Sequence, residues 1–245
     1  MFKPTFAASG VVAVILGTVC TAAAEEPPEG GTPPPTTYTS DTDVWSMANK
    51  GVVPAPRNAF ELTLGSGYTQ GFGNLEQDVS VGDTAQAGVG FELGLGHRVS
   101  PNWGWGIIGG YQMFDPGDEL ANDEWPYGVT GRIEATYHIS PFSRLDPWVK
   151  LGSGYRYLCE CEEPAIDDAH MHGIELANLN LGFDMRLGKQ FGLAPLIGGG
   201  MTMFLWEGTE TIDEPELSSF VFAGLQARFD MGGSYERPFT EVAGF

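Results

Sequence analysis

Tyr127-Gly128-Val129-Thr130-Gly131-Arg132-Ile133-Glu134-Ala135-Thr136-Tyr137 reads as two interleaved series. One series is Tyr127, Val129, Ile133, Ala135 and Tyr137; the other is Gly128, Thr130, Arg132, Glu134 and Thr136. A period of two puts successive side chains on opposite faces of an extended chain, so this stretch is a strand with an apolar face and a face of glycine, hydroxyls and paired charges. The second face decides the fold. Arg132 and Glu134 stand two apart among small residues, as they would in a narrow polar interior where opposite charges meet.

Working outward, the same alternation recurs. Phe60, Leu62 and Leu64 oppose Glu61, Thr63 and Gly65; Val89, Phe91, Leu93 and Leu95 oppose Gly90, Glu92, Gly94 and Gly96. Trp103, Trp105, Ile107 and Tyr111 oppose Gly104, Gly106, Gly110 and Gln112, and Val149, Leu151, Tyr155 and Tyr157 oppose Lys150, Gly152, Gly154 and Arg156. Leu179, Leu181, Phe183, Met185 and Leu187 oppose Asn180, Gly182, Asp184 and Arg186, and Val221, Ala223, Leu225, Ala227 and Phe229 oppose Gly224, Gln226, Arg228 and Asp230. Phe191 to Phe204 is apolar on both faces, so its phase stays open. With that segment the count is eight.

Connections alternate as well. Gln70–Thr84, Asp115–Glu124, Cys159–His172 and Glu207–Glu216 are long; Arg98–Asn102, Ser140–Pro147 and Gly188–Gln190 are short. The long ones contain neither Lys nor Arg, whereas Arg98, Arg144 and Lys189 lie in the short ones. Long outer loops, short periplasmic turns and strands of about ten residues describe a transmembrane barrel. Its apolar face meets lipid, and closure pairs every backbone group. The expected fold is therefore all-β, an eight-stranded antiparallel up-and-down transmembrane β-barrel over residues 58–231. A soluble secreted barrel or sandwich that binds something in water is the competing architecture.

The flanks read differently. Lys3, the apolar run Phe6 to Val19 and Ala22-Ala23-Ala24 form a signal peptide over residues 1–24. Residues 25–57, with Pro27-Pro28 and Pro33-Pro34-Pro35, read as a periplasmic linker, and residues 232–245 as a C-terminal tail. The expected destination is the outer membrane, with both termini periplasmic.

Segments such as Phe60-Glu61-Leu62-Thr63-Leu64-Gly65-Ser66-Gly67-Tyr68 and Leu179-Asn180-Leu181-Gly182-Phe183-Asp184-Met185-Arg186-Leu187 resemble strands of the bacterial outer-membrane β-barrel domain family, the OmpA-, OmpX- and OmpW-type barrels. The resemblance covers about Asn58 to Met231 and carries no catalytic motif. It implies roles in envelope integrity, adhesion or small-solute passage. In such proteins the chain commonly ends on the aromatic of the last strand, whereas here Phe229 is followed by further residues.

The charge balance, 12 Lys+Arg against 32 Asp+Glu for a net −20, excludes nucleic acid as a partner. The expected partners are the lipid bilayer, lipopolysaccharide and the barrel-assembly machinery, with any extracellular ligand unidentified. The expected role is structural or interactive at the cell surface, with acidic outer loops. A narrow channel for small or cationic solutes is the alternative. One constellation has metal-ligand chemistry: Cys159, Cys161, His170 and His172 in the third long loop, able to hold zinc or copper. The competing reading is a disulfide of Cys159 and Cys161 beside solvated histidines. His138-Ile139-Ser140 matches a lipid deacylase dyad only superficially, because it falls at the periplasmic end of its strand; no enzyme is expected.

Overall fold

A computed structural model describes residues 53–76, 79–117, 126–160 and 169–236. The signal peptide, most of the linker, Cys161 and the end of the tail lie outside the described residues. The strands are β1 (Ala55–Arg57), β2 (Ala59–Glu76), β3 (Val79–Ser80), β4 (Ala85–Arg98), β5 (Trp103–Pro116), β6 (Tyr127–His138) and β7 (Leu145–Glu160). They continue with β8 (Ala169–Arg186), β9 (Phe191–Glu207), β10 (Glu210–Thr211), β11 (Leu217–Met231) and β12 (Ser234–Glu236), and one short helix, α1 (Val81–Thr84), follows β3.

Eight of these close a ring. Each pairs antiparallel with the next in the order β2, β4, β5, β6, β7, β8, β9 and β11, and β11 pairs back onto β2 from Ser218↔Gly73 to Met231↔Phe60. The seam leaves the barrel without an unpaired edge, the condition for a sheet in lipid. Along β5 exposed and buried positions alternate almost without a break, with Trp103, Trp105, Ile107 and Tyr111 outside. The outer wall is mostly apolar, with Leu95, Ile133, Leu151, Ile197 and Leu225 exposed on it. The inner wall buries Glu61, Arg132, Glu134, Lys150, Arg156, Asp184 and Arg228. A soluble protein has the reverse polarity, so the fold is a transmembrane barrel.

The open phase of Phe191–Phe204 is settled by its neighbours. Phe191 and Ile197 face out, while Ala194, Leu196 and Phe204 are buried inside. Both faces are apolar because Ala194 and Leu196 pack in the lumen against Trp148 and Phe222. Gly182 gives the indole its space: a Cβ there would collide with the Trp148 ring.

Several strands run further than the periodicity indicated. β2 continues through Gln70 to Glu76, and β8 begins at Ala169, so His170 and His172 belong to the wall of the barrel rather than to a loop. Below the short-turn end, Ala55–Arg57 pairs with Ser234–Glu236, joined also by an Arg57–Glu236 ion pair. These residues come from the segments read as linker and tail. Gly232 and Gly233 both take positive φ, 69° and 72°, which turns the chain under the barrel into this clamp.

Candidate functional site

The lumen is filled in layers. At the long-loop mouth, β3 folds back along β2 and delivers α1 into the opening. Ser80 caps the helix reciprocally: its Oγ accepts from Asp83 N–H (3.3 Å), and its N–H donates to Asp83 Oδ2 (2.9 Å). The cap turns Val81 inward, where it joins Leu75, Phe114, Leu158, Met171, Phe204, Ile212 and Phe220 in an apolar plug. Gly71 makes room for it, since a Cβ there would meet Val81.

Beneath the plug the interior becomes charged. The Arg156 guanidinium lies 3.9 Å from the Phe220 ring centre and donates to Gln112 (2.5 Å). Arg132 is surrounded by Glu92, Glu134 (3.0 Å) and Glu175 (3.9 Å). A bulge at β8, where Glu175 and Ala177 pair with consecutive residues Thr202 and Met201, lets both Glu175 and Asn178 point inward. Lower still, Lys150 donates to Gln226 (2.8 Å) and sits 4.8 Å over the Trp148 ring. A cavity of about 30 Å³ beside them, lined by Glu61, Glu134, His138 and Arg228, has the size of one or two water molecules.

The short-turn end carries a second network. Arg228 pairs with Asp184 and lies 3.6 Å from Glu61 and 3.4 Å from Asp230. Asp146 accepts from His138 Nδ1 (2.9 Å) and is 3.6 Å from Arg98 and 3.5 Å from Arg186. Arg98 is fixed in turn by the Pro101 carbonyl (2.5 Å), and Arg186 by the Pro54 carbonyl (3.0 Å). Among the described residues the lumen buries seven carboxylates (Glu61, Glu92, Glu134, Asp146, Glu175, Asp184 and Asp230) against six cations (Arg98, Arg132, Lys150, Arg156, Arg186 and Arg228). That near balance is what makes such burial tolerable.

Solved structures share this architecture at low sequence identity. Neisserial surface protein A aligns with a TM-score of 0.50 at 10% identity, over 69% of this chain and 96% of that one. The likeness is one of fold. AlkL in lipid bilayers aligns with a TM-score of 0.45 at 14% identity, over 74% of this chain and 95% of that one. OprG of Pseudomonas aeruginosa aligns at 0.42 and 10% identity, over 71% and 98%. No protein-family model matches the sequence, and no curated protein does.

Of the residues singled out from sequence, Cys159, His170 and His172 lie together near the long-loop end, Cys161 lies outside the described residues, and His138 is apart from them in the lumen. Cys159 lies near the end of β7, opposite His170 in the ladder, and is disulfide-bonded, so thiolate ligation there would require reduction first. The rings of His170 and His172 stack 6.4 Å apart on the outer wall. His172 is held from both sides: the Tyr155 hydroxyl meets Nδ1, and Nε2 lies 3.1 Å from the Gly208 carbonyl. His138 is inside the lumen, facing away from lipid, and Ser140 reaches the same Asp146 through its backbone N–H (3.1 Å). The one metal-like grouping among the described residues is His138, Asp146 and Asp184. Arg98, Arg186 and Arg228 already supply positive charge to those carboxylates, which disfavours a divalent ion. Asp146 and Trp148 were not picked out from sequence, although both share the inward phase of Lys150.

Proposed function

We propose that the chain is a plugged barrel of the bacterial outer membrane with a structural or interactive role at the cell surface, not a passage for solutes. The filled lumen supports this reading: the apolar plug covers one mouth, one ion-pair network lies beneath it and a second fills the short-turn end, with a cavity of about 30 Å³ near Lys150 and Trp148. An eight-stranded barrel has room inside for its own side chains and little else. The β1–β12 clamp closes the other end and puts both flanking segments on that side, the periplasmic one in this reading. Function then resides in the outer wall, which meets lipid, and in the acidic outer loops. Lipopolysaccharide and the barrel-assembly machinery are the partners such a wall would meet.

Planar-bilayer recording on the folded, purified protein tests the proposal. A silent bilayer is expected. Discrete, cation-selective conductance steps would replace it with the narrow-channel reading.

A further inference from the structure

The clamp beneath the barrel is the seam continued. On the ring, β11 and β2 pair in one register down to Met231↔Phe60, and the clamp resumes with Ser234↔Arg57, Tyr235↔Pro56 and Glu236↔Ala55. Two residues intervene on each strand, Asn58 and Ala59 on one, Gly232 and Gly233 on the other, so the ladder keeps its register across the gap. What changes there is direction. Asn58 takes a φ of 51°, Gly232 of 69° and Gly233 of 72°, three left-handed residues at one level of two paired strands. They fold the end of the seam inward, and Gly233 packs so closely that a Cβ on it would meet the Arg57 and Asn58 carbonyls at 2.5 and 2.8 Å.

Folded this way, the ladder crosses the mouth. The seam lies between β11 and β2, and β7 stands four strands from β2 in the ring of eight. The tip of the clamp is fastened on that far side. Val53 N–H donates to the Phe142 carbonyl in the turn before β7 (3.0 Å), and Arg186 at the end of β8 donates to the Pro54 carbonyl (3.0 Å). Between hinge and tip, Ala55 and Pro56 are fully buried, and Tyr235, opposite Pro56, has its hydroxyl buried.

We propose that the clamp is a lid, hinged at the seam and latched on the opposite wall, that swings out from under the short-turn mouth as a unit. The preserved register carries the proposal. Bringing Asn58, Gly232 and Gly233 out of the left-handed region straightens both strands without breaking a ladder pair, so the open lid is a plain extension of the β2–β11 wall. The left-handed region costs a residue with a Cβ, so straightening relieves Asn58. Against it stand the two latch bonds and the burial of Ala55 and Pro56. Opening would bring water to Asp146, Arg186 and Asp230 at the ionic end. The lid rests on the ring and its seam, and not on how the other mouth is filled.

The test places spin labels on Glu236→Cys and Arg144→Cys in the full chain, folded in detergent and labelled without reductant so that the Cys159 disulfide stays closed. Pulsed dipolar spectroscopy then reads the distance from lid to far turn. A lid of native sequence at the hinge is expected to give a short distance with a minor population about 10 Å longer, because Glu236 lies three residues beyond Gly233 at about 3.3 Å each. Gly233→Val, which cannot take the folded hinge without a clash, should make the long distance dominant, and Asn58→Gly should shrink it. In a separate variant, Arg57→Cys and Ser234→Cys face each other across the ladder and should still cross-link with Gly233→Val present, since the strands swing together. A native hinge confined to the short distance overturns the motion, and Gly233→Val confined to it overturns the hinge. A longer distance with the cross-link lost also overturns the proposal, because the two ends then fray instead of swinging. If Gly233→Val loses the band shift on boiling that marks a folded barrel, Asn58→Val carries the same prediction, its branched side chain disfavouring positive φ.

Discussion

The two ends of the lumen are sealed by opposite chemistry. At the long-loop mouth, Leu75, Val81, Phe114, Phe204 and Phe220 exclude water by packing. At the short-turn end, Arg98, Arg186 and Arg228 hold Asp146, Asp184, Glu61 and Asp230. An apolar seal depends on volume and tolerates any side chain that refills the space. A buried ionic seal depends on completeness, because each group left alone retains its desolvation cost. The barrel therefore has one end that answers to shape and one that answers to charge.

The largest expected effect is at the ionic end. Arg228→Ala strands Asp184 and Asp230, leaves Glu61 with Arg98 alone and should cost about 3–5 kcal/mol, read as a lower urea midpoint for loss of the fast-migrating folded band. Arg228→Met should be almost as damaging, since it restores volume and no charge. Recovery of most of the stability by Met would mean that this end, too, is governed by packing.

At the apolar end the order reverses. Phe204 is fully buried, and Phe204→Ala should cost about 3 kcal/mol, whereas Phe204→Leu should cost about half of that or less in the same urea titration. Equal costs for the two substitutions would break the contrast.

How much of this was legible in sequence follows from range. Alternation is a property of neighbours, so the wall was readable wherever one face was lipid-apolar and the other polar, as in Tyr127 to Tyr137. It failed where the lumen itself is apolar. Leu196 looks like a wall residue until Trp148, two strands away in register over Gly182, is known to pack on it from inside. It failed again for Ala55–Arg57, a three-residue strand whose partner, Ser234–Glu236, is nearly the whole barrel away in sequence. His170 and His172 were read as loop ligands because a bulged strand end loses the period of two. Arg132, Lys150, Arg156, Arg186 and Arg228 were visible as inward cations, whereas Arg98 was read into a short turn and instead ends β4 inside the lumen; which carboxylate each one meets depends on strand stagger, which no local pattern encodes.

The clamp beneath the barrel separates burial from charge as the cause of the first effect. Arg57 and Glu236 form a close ion pair, yet their side chains are 52% and 36% exposed. Arg57→Ala should therefore change stability by about 0.5 kcal/mol or less, and the little it does change should vanish in high salt. A loss comparable to that of Arg228→Ala would show that the clamp is a required part of the closed end.

The smallest effect concerns how the apolar end is held in place. Asp83 is half-buried, and the hydrogen bonds it receives from the Ser80 side chain and backbone keep its carboxyl below the ordinary carboxylate range. A carboxyl depressed in the folded state stabilises that state above its unfolded value, near 4, and the contribution is lost as pH falls through the lower folded value. Acid should thus loosen α1 while the buried residues around Phe204 stay packed. Backbone hydrogen exchange at Val81–Thr84, measured as local opening relative to β2, should rise as pH drops below about 4. Asp83→Asn should show the looser level at neutral pH and no further acid step. If the variant keeps the acid step, another carboxyl controls the mouth, and the capping box is not what holds Val81 in the lumen.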